Sequence, residues 1–227
     1  MQAIHQAAKV TELWEPVPGV VTPGERIGNP PADAVMLFDG ESLNAWSHLD
    51  GSDATWIIED QAVTVKPGSG NIRTKGVFTD VQLHIEWRTP KTIESESQGR
   101  GNSGVFLMGE YEVQVLDSHN NPTYPNGQAA SIYKQHIPLV NASRGPGEWQ
   151  SYDIIFRAPQ FADDGRLRHP ATITVLHNGV LVQNHVTLAG PTSYVGAPNY
   201  EAHGPAPLVL QDHSNRVSFR NIWIRNL

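Results

Sequence analysis

The chain has 227 residues, no cysteine, and a formal net charge of −7 from 16 basic and 23 acidic side chains. That balance argues against a nucleic-acid partner, whose phosphates need a basic face. The missing cysteines exclude disulfides, zinc-thiolate sites and cysteine nucleophiles. Six Trp, six Tyr and six Phe, with 20 Gly and 17 Pro, suit a packed domain of short strands joined by turns.

No apolar run approaches the ~20 residues of a membrane span. MQAIHQAAKV, at the start, has neither a basic nor an apolar signal region. The expectation is an exported protein whose leader has been removed, with a cytoplasmic location as the alternative. Residues 1–34 carry Pro16, Pro18, Pro23, Pro30 and Pro31, too many for a helix and badly placed for a central strand. They are predicted to form an extended arm on the domain surface, with Trp14 and Val17 as candidate anchors. The alternative role for this arm is docking a neighbouring protein.

From MLFDG onward the chain reads as strands. TWIIEDQAVTV breaks at Glu59-Asp60, a predicted hairpin turn. VQLHIEWR sets Val81, Leu83, Ile85 and Trp87 against Gln82, His84, Glu86 and Arg88. GEWQSYDIIF sets Gln150, Tyr152, Ile154 and Phe156 against Ser151, Asp153 and Ile155. ATITVLHNGVLVQNH turns at Asn178-Gly179, the strongest short hairpin signal. The final stretch reads as two strands around His213-Ser214-Asn215. No apolar stripe is long enough for a major helix. The prediction is one all-β domain over residues 35–227, an antiparallel β-sandwich of jelly-roll type.

Some strand faces carry polar groups with chemical uses. In YEVQVLD, Glu112 and Gln114 share a face, while Asp117 joins them only if the strand bulges after Gln114. Glu86 with Arg88, and Gln211 with His213, are further pairs. Taken singly, each reads as a solvated face, and an exposed Glu86–Arg88 ion pair contributes only ~0–1 kcal/mol. Lys134 and His136 in SIYKQH read equally well as loop decoration. Ser103 lies in GNSG, not in a G-x-S-x-G nucleophile turn, so Asn102 and Ser103 are expected to open a strand. Glu112, Asp117, His119, His136, Asp212 and His213 are ligand types for a divalent metal, calcium or a transition metal. Their spacing matches no compact signature.

In order, LFDGESLNAW, VQLHIEWR, GNSGVFLMGEYEVQVLDS, AASIYKQHIPLVNASRGPGEWQSYDIIF, LHNGV and PLVLQDHSNRVSFRNIWI resemble the bacterial 3-keto-disaccharide hydrolase family. The resemblance implies a concanavalin-A-like lectin/glucanase sandwich, usually exported. It implies action on carbohydrate, a glycoside or disaccharide already oxidised at C3. A C3 ketone acidifies the C2 proton, so a base at C2 generates an enolate that expels the C1 substituent; water then adds. The family-like positions are Glu86, Arg88, Asn102, Ser103, Glu112, Gln114, Asp117, Gln211 and His213. On this reading Glu112 is the leading acid/base, with Glu86 or Asp117 second. Arg88 and Lys134 are candidate electrophiles. Asn102, Ser103, Gln114, His136, Gln211 and His213 are candidates for sugar hydroxyls. One departure is Ser214, where the family pattern has Gly after LQDH.

Two alternatives share the scaffold. A non-catalytic carbohydrate-binding module needs only the polar face. A retaining glucanase needs two carboxyls ~5–5.5 Å apart, and the Glu112, Gln114, Asp117 spacing echoes its E-x-D-x-x-E strand with the middle acid replaced.

Overall fold

The structure, a computed structural model, describes residues 2–227. Its strands in chain order are β1 (Val35–Phe38), β2 (Trp46–His48), β3 (Ile57–Glu59), β4 (Ala62–Thr64), β5 (Ile72–Thr74), β6 (Val81–Arg88), β7 (Ser103–Leu107) and β8 (Tyr111–Val115). Then follow β9 (Gln150–Arg157), β10 (Gln160–Phe161), β11 (Leu167–His169), β12 (Thr172–His177), β13 (Val180–Thr187), β14 (Val209–Leu210) and β15 (Ser218–Asn226).

They form an antiparallel sandwich of two sheets. The larger sheet runs β13-β12-β9-β6-β15-β4-β3, with β1 also paired to β15. The smaller runs β2-β5-β14-β7-β8, and β10-β11 is a separate hairpin.

Alternation explains the layering. Leu83, Ile85 and Trp87 of β6, and Tyr152, Ile154 and Phe156 of β9, are buried, facing Val105, Leu107, Tyr111, Val113 and Val115 of the smaller sheet. Burial of each large apolar side chain contributes ~1.5–3 kcal/mol. Tyr111 packs on Phe156 with ring centroids 5.4 Å apart. The Tyr152 hydroxyl donates to the Gln114 carbonyl at 2.7 Å, tying β9 to the back of β8. The Asn178-Gly179 hairpin forms as expected, with φ of 53° and 77°.

The two strands expected around His213-Ser214-Asn215 do form, as β14 and β15, and they enter opposite sheets. Three expectations need correction. The β3–β4 turn lies one residue later, at Asp60-Gln61, both with positive φ. The arm begins with a short helix, Gln2–Ala8, because Gln and Ala favour helix ahead of the first proline. Trp14 and Val17 do not anchor it, being 80% and 78% exposed. The arm is held farther along. The Gly28 carbonyl accepts bonds from Asn221 Nδ2 and Trp223 Nε1, and Asp33 pairs with Arg225 at 2.7 Å.

Candidate active site

The outer face of the smaller sheet carries a cleft of about 680 Å³, within the range of small-molecule sites. Register places its floor. Gly104 of β7 lies opposite Gln114 of β8, and Phe106 lies opposite Glu112. Beyond β14, the Gln211 amide nitrogen donates to the Gly104 carbonyl, which brings Gln211 alongside. Gln98, Asn102, Tyr124, Tyr133, Thr192, Tyr194 and His213 complete the wall from loops.

Glu112 is 5% exposed. Among the described residues it is the only carboxyl lining the cleft, and no lysine or arginine lines it either. Burial without a counter-charge pushes its pKa up from 4.5 to about 8. Its main-chain nitrogen donates to Thr192 Oγ1. The Gln114 amide lies 3.0 Å from Glu112 Oε1 and 3.0 Å from Gln98 Oε1. With its nitrogen toward Glu112 the amide donates to the carboxylate. Turned over, it presents a carbonyl that the protonated acid can donate to, so either charge state finds a partner.

Glycine makes room for this carboxyl. A Cβ at position 104 would stand 2.5 Å from Glu112 Oε1 and 2.6 Å from a Phe106 ring carbon.

Of the residues singled out from the sequence, the structure brings Glu112, Asn102, Gln114, Gln211 and His213 together in this cleft. The other candidates are elsewhere. The β7–β8 pairing is regular through Val115, with no bulge. Asp117 therefore lies beyond the strand, where Arg100 Nε binds it at 2.7 Å and the His119 amide caps it. Among the described residues no second carboxyl lines the cleft beside Glu112, so the carboxyl pair that a retaining glucanase needs is not assembled there.

Glu86 sits on the outer face of the larger sheet. It is bound there by Arg220 at 2.6 Å and Asn221 at 3.0 Å. A bulge does exist, but in β15, between Arg220 and Trp223. It turns both residues toward Glu86 and His84. Arg88 stacks over Trp149 on that same side, 4.7 Å from the ring centre.

Lys134 does not line the cleft. Its Nζ donates to the Tyr194 carbonyl and lies 4.1 Å from that ring's centre, pinning a wall rather than facing substrate. Ser103 points inward and donates to the Gln211 carbonyl. His136 is bonded to the Thr187 carbonyl outside the cleft. Of the six candidate metal ligands only Glu112 and His213 border it. Asp212 is occupied by the Gly70 and Ser214 amides. Among the described residues no three His, Asp or Glu cluster to hold a metal.

Phe106, Tyr124, Tyr133, Thr192, Tyr194 and Gln98 were not anticipated. The available signal was tyrosine within proline- and glycine-punctuated loops, NPTYPNG and GPTSYVG. Such exposed aromatics suit the apolar faces of sugars.

Residues 33–225 match the family model described as a 3-keto-alpha-glucoside-1,2-lyase-like domain. The chain belongs to this family. It is also similar to a crystal structure from Parabacteroides distasonis ATCC 8503, provisionally described as a glycosyl hydrolase. The identity there is 54%, with 96% of each chain covered and a TM-score of 0.92. A second structure from that organism, with the same provisional description, is 18% identical at a TM-score of 0.63. The match covers 86% of this chain and 94% of that one, and it shows the fold alone. No curated protein matches in sequence. Within the family, a carbohydrate-cleaving role agrees with a cleft of this kind, walled by aromatic rings and floored by amides and one buried acid.

Proposed function

We propose that the protein cleaves 3-keto-glycosides, including 3-keto-disaccharides, by eliminating the C1 substituent, with Glu112 as both base and acid. The observation that carries this reading is the lone buried carboxyl of Glu112, raised to about 8 and facing a cleft walled by neutral donors.

The ionised carboxylate takes the C2 proton. The C2–H electron pair becomes a C2–C3 double bond, and the C3 carbonyl π pair moves onto oxygen. When that pair returns, the C2–C3 π pair shifts to C1–C2 and the C1–O bond breaks. The departing oxygen takes the proton from Glu112, restoring the carboxylate. Water then adds across C1–C2 to complete net hydrolysis.

An acid near the working pH is suited to both directions of transfer. One group that serves in turn as base and acid needs no second carboxylate, unlike a retaining glycosidase. Asn102, Gln114, Gln211 and His213 supply paired donors and acceptors for hydroxyls.

The test is to incubate the protein with a 3-keto-disaccharide and with its unoxidised parent and follow free monosaccharide. Release from the keto-sugar alone is expected. Tight binding of both sugars without turnover would instead establish a carbohydrate-binding module.

A further inference from the structure

Abstraction of a proton beside a ketone leaves negative charge on the ketone oxygen, and no lysine or arginine lines this cleft among the described residues. Three phenols line it instead, those of Tyr124, Tyr133 and Tyr194, and the first two are paired. The hydroxyl oxygens of Tyr124 and Tyr133 are 2.7 Å apart, with their rings edge-on. Two hydroxyls carry two protons, and one is used in the bond between them. Neither phenol has another hydrogen-bond partner among the described residues. The second proton is therefore free to meet an acceptor in the cleft.

The pair is fixed against Glu112 through the main chain. Residues 130–133 run along the free edge of β8. There the Ala130 amide donates to the Gln114 carbonyl, the Gln114 amide to the Ser131 carbonyl, and the Tyr133 amide to the Glu112 carbonyl. Tyr124 packs over Gly127, where any side chain would overlap its ring. Burial foremost, then the bond to Tyr124, pushes the Tyr133 phenol well above its ordinary pKa and keeps it a neutral donor.

We infer that the Tyr124–Tyr133 hydroxyl pair is the electrophile of the reaction, with Tyr133 donating to the C3 oxygen and Tyr124 donating to Tyr133. The inference rests on the 3-keto-glycoside reading above. The proton stays on the phenol throughout; only the C3 oxygen changes, from carbonyl to enolate and back. A hydroxyl that itself accepts a hydrogen bond donates more strongly. Removal of one such donor from a site of developing oxyanion charge typically slows reaction ~10²–10³-fold.

A 3-keto sugar with no substituent at C1, 1,5-anhydro-3-ketoglucitol, isolates the enolisation step. Proton NMR in D2O follows replacement of its C2 hydrogen. The wild-type protein is expected to exchange it. Tyr133→Phe should slow exchange ~100-fold and Tyr124→Phe ~10-fold, with binding of the sugar within threefold of wild type. Melting temperatures are measured alongside; should Tyr133→Phe not fold, Tyr124→Phe carries the test, since it removes the pair and leaves Tyr133 intact. Wild-type exchange with unaltered rates in the folded variants overturns this inference alone. No exchange by the wild-type protein, with no release from a 3-keto-disaccharide, overturns the underlying reading and this inference with it.

Discussion

Glu112 and Glu86 are both strand glutamates on outward faces of the sandwich, yet they are driven in opposite directions. Glu112 sits on the smaller sheet with no lysine or arginine lining its cleft among the described residues, and burial raises it to about 8. Glu86 sits on the larger sheet, hydrogen-bonded to Asn221 and Arg220 with the His84 ring 3.8 Å away, and is held down at about 2. The neighbouring His84 ring is the leading cause, with burial opposing it. Its neighbour His84 is pulled down by burial, but its bond to Asp153 and the nearby Glu86 carboxylate overcome this and raise it to about 9. The same residue type is thus an available acid/base on one face and a satisfied ion on the other. What decides is the set of neighbours, which strand alternation does not specify.

The largest contrast should come from isosteric substitution. Glu112→Gln is expected to lower turnover of a 3-keto-disaccharide by at least ~10³-fold, since one group serves both proton transfers. It should also raise stability. The folded pKa of Glu112 lies above its ordinary 4.5, so the folded state binds the extra proton and wild-type stability falls as pH rises from 4.5 to about 8. The variant's advantage should grow over that window, reaching on the order of 5 kcal/mol above pH 8 and vanishing near pH 4 in thermal unfolding.

Gly104→Ala should come next, a loss of ~10²-fold in kcat without removal of any polar group, because displacement of a catalytic group by about 1 Å has effects of that size. A rate within threefold of wild type would show that the carboxyl tolerates displacement.

Glu86→Gln should leave turnover within threefold. It should instead lower stability at pH 7 by ~1–2 kcal/mol, a value reduced by the partial exposure of the pair with Arg220. The folded pKa of Glu86 is depressed, so this contribution is present above its ordinary 4.5 and is lost as pH falls toward about 2. Loss of turnover in this variant would move the site to the larger sheet.

The smallest effect concerns Ser214, which adopts φ of +64° beside His213. Ser214→Gly should stabilise by ~0.5–1 kcal/mol in denaturant unfolding, because glycine occupies that region without steric cost.

Much of the scaffold was legible in the sequence. The β6 and β9 alternation, the Asn178-Gly179 turn and the shared face of Glu112 and Gln114 follow from strand geometry and turn chemistry alone. The misplaced residues share one cause. Alternation says which residues of a strand face together, but not which sheet the strand joins or which surface the face becomes. Glu86 therefore looked equivalent to Glu112. Asp117 depended on a bulge that no residue dictates, and the bulge formed instead at Asn221, where φ is +45°. Tyr124, Tyr133 and Tyr194 lie on loops without periodicity, and only long-range packing brings them to one cleft. The helix at Gln2–Ala8 was obscured by the prolines that follow it.

The central claim is that Glu112 is a desolvated, uncompensated acid. Carbon-13 NMR titration of side-chain carboxyls in glutamate-labelled protein, with Glu112→Gln to assign the signal, tests it most directly. The account predicts one carboxyl titrating near 8 that is absent from the variant. A Glu112 signal titrating near 4.5 would contradict it.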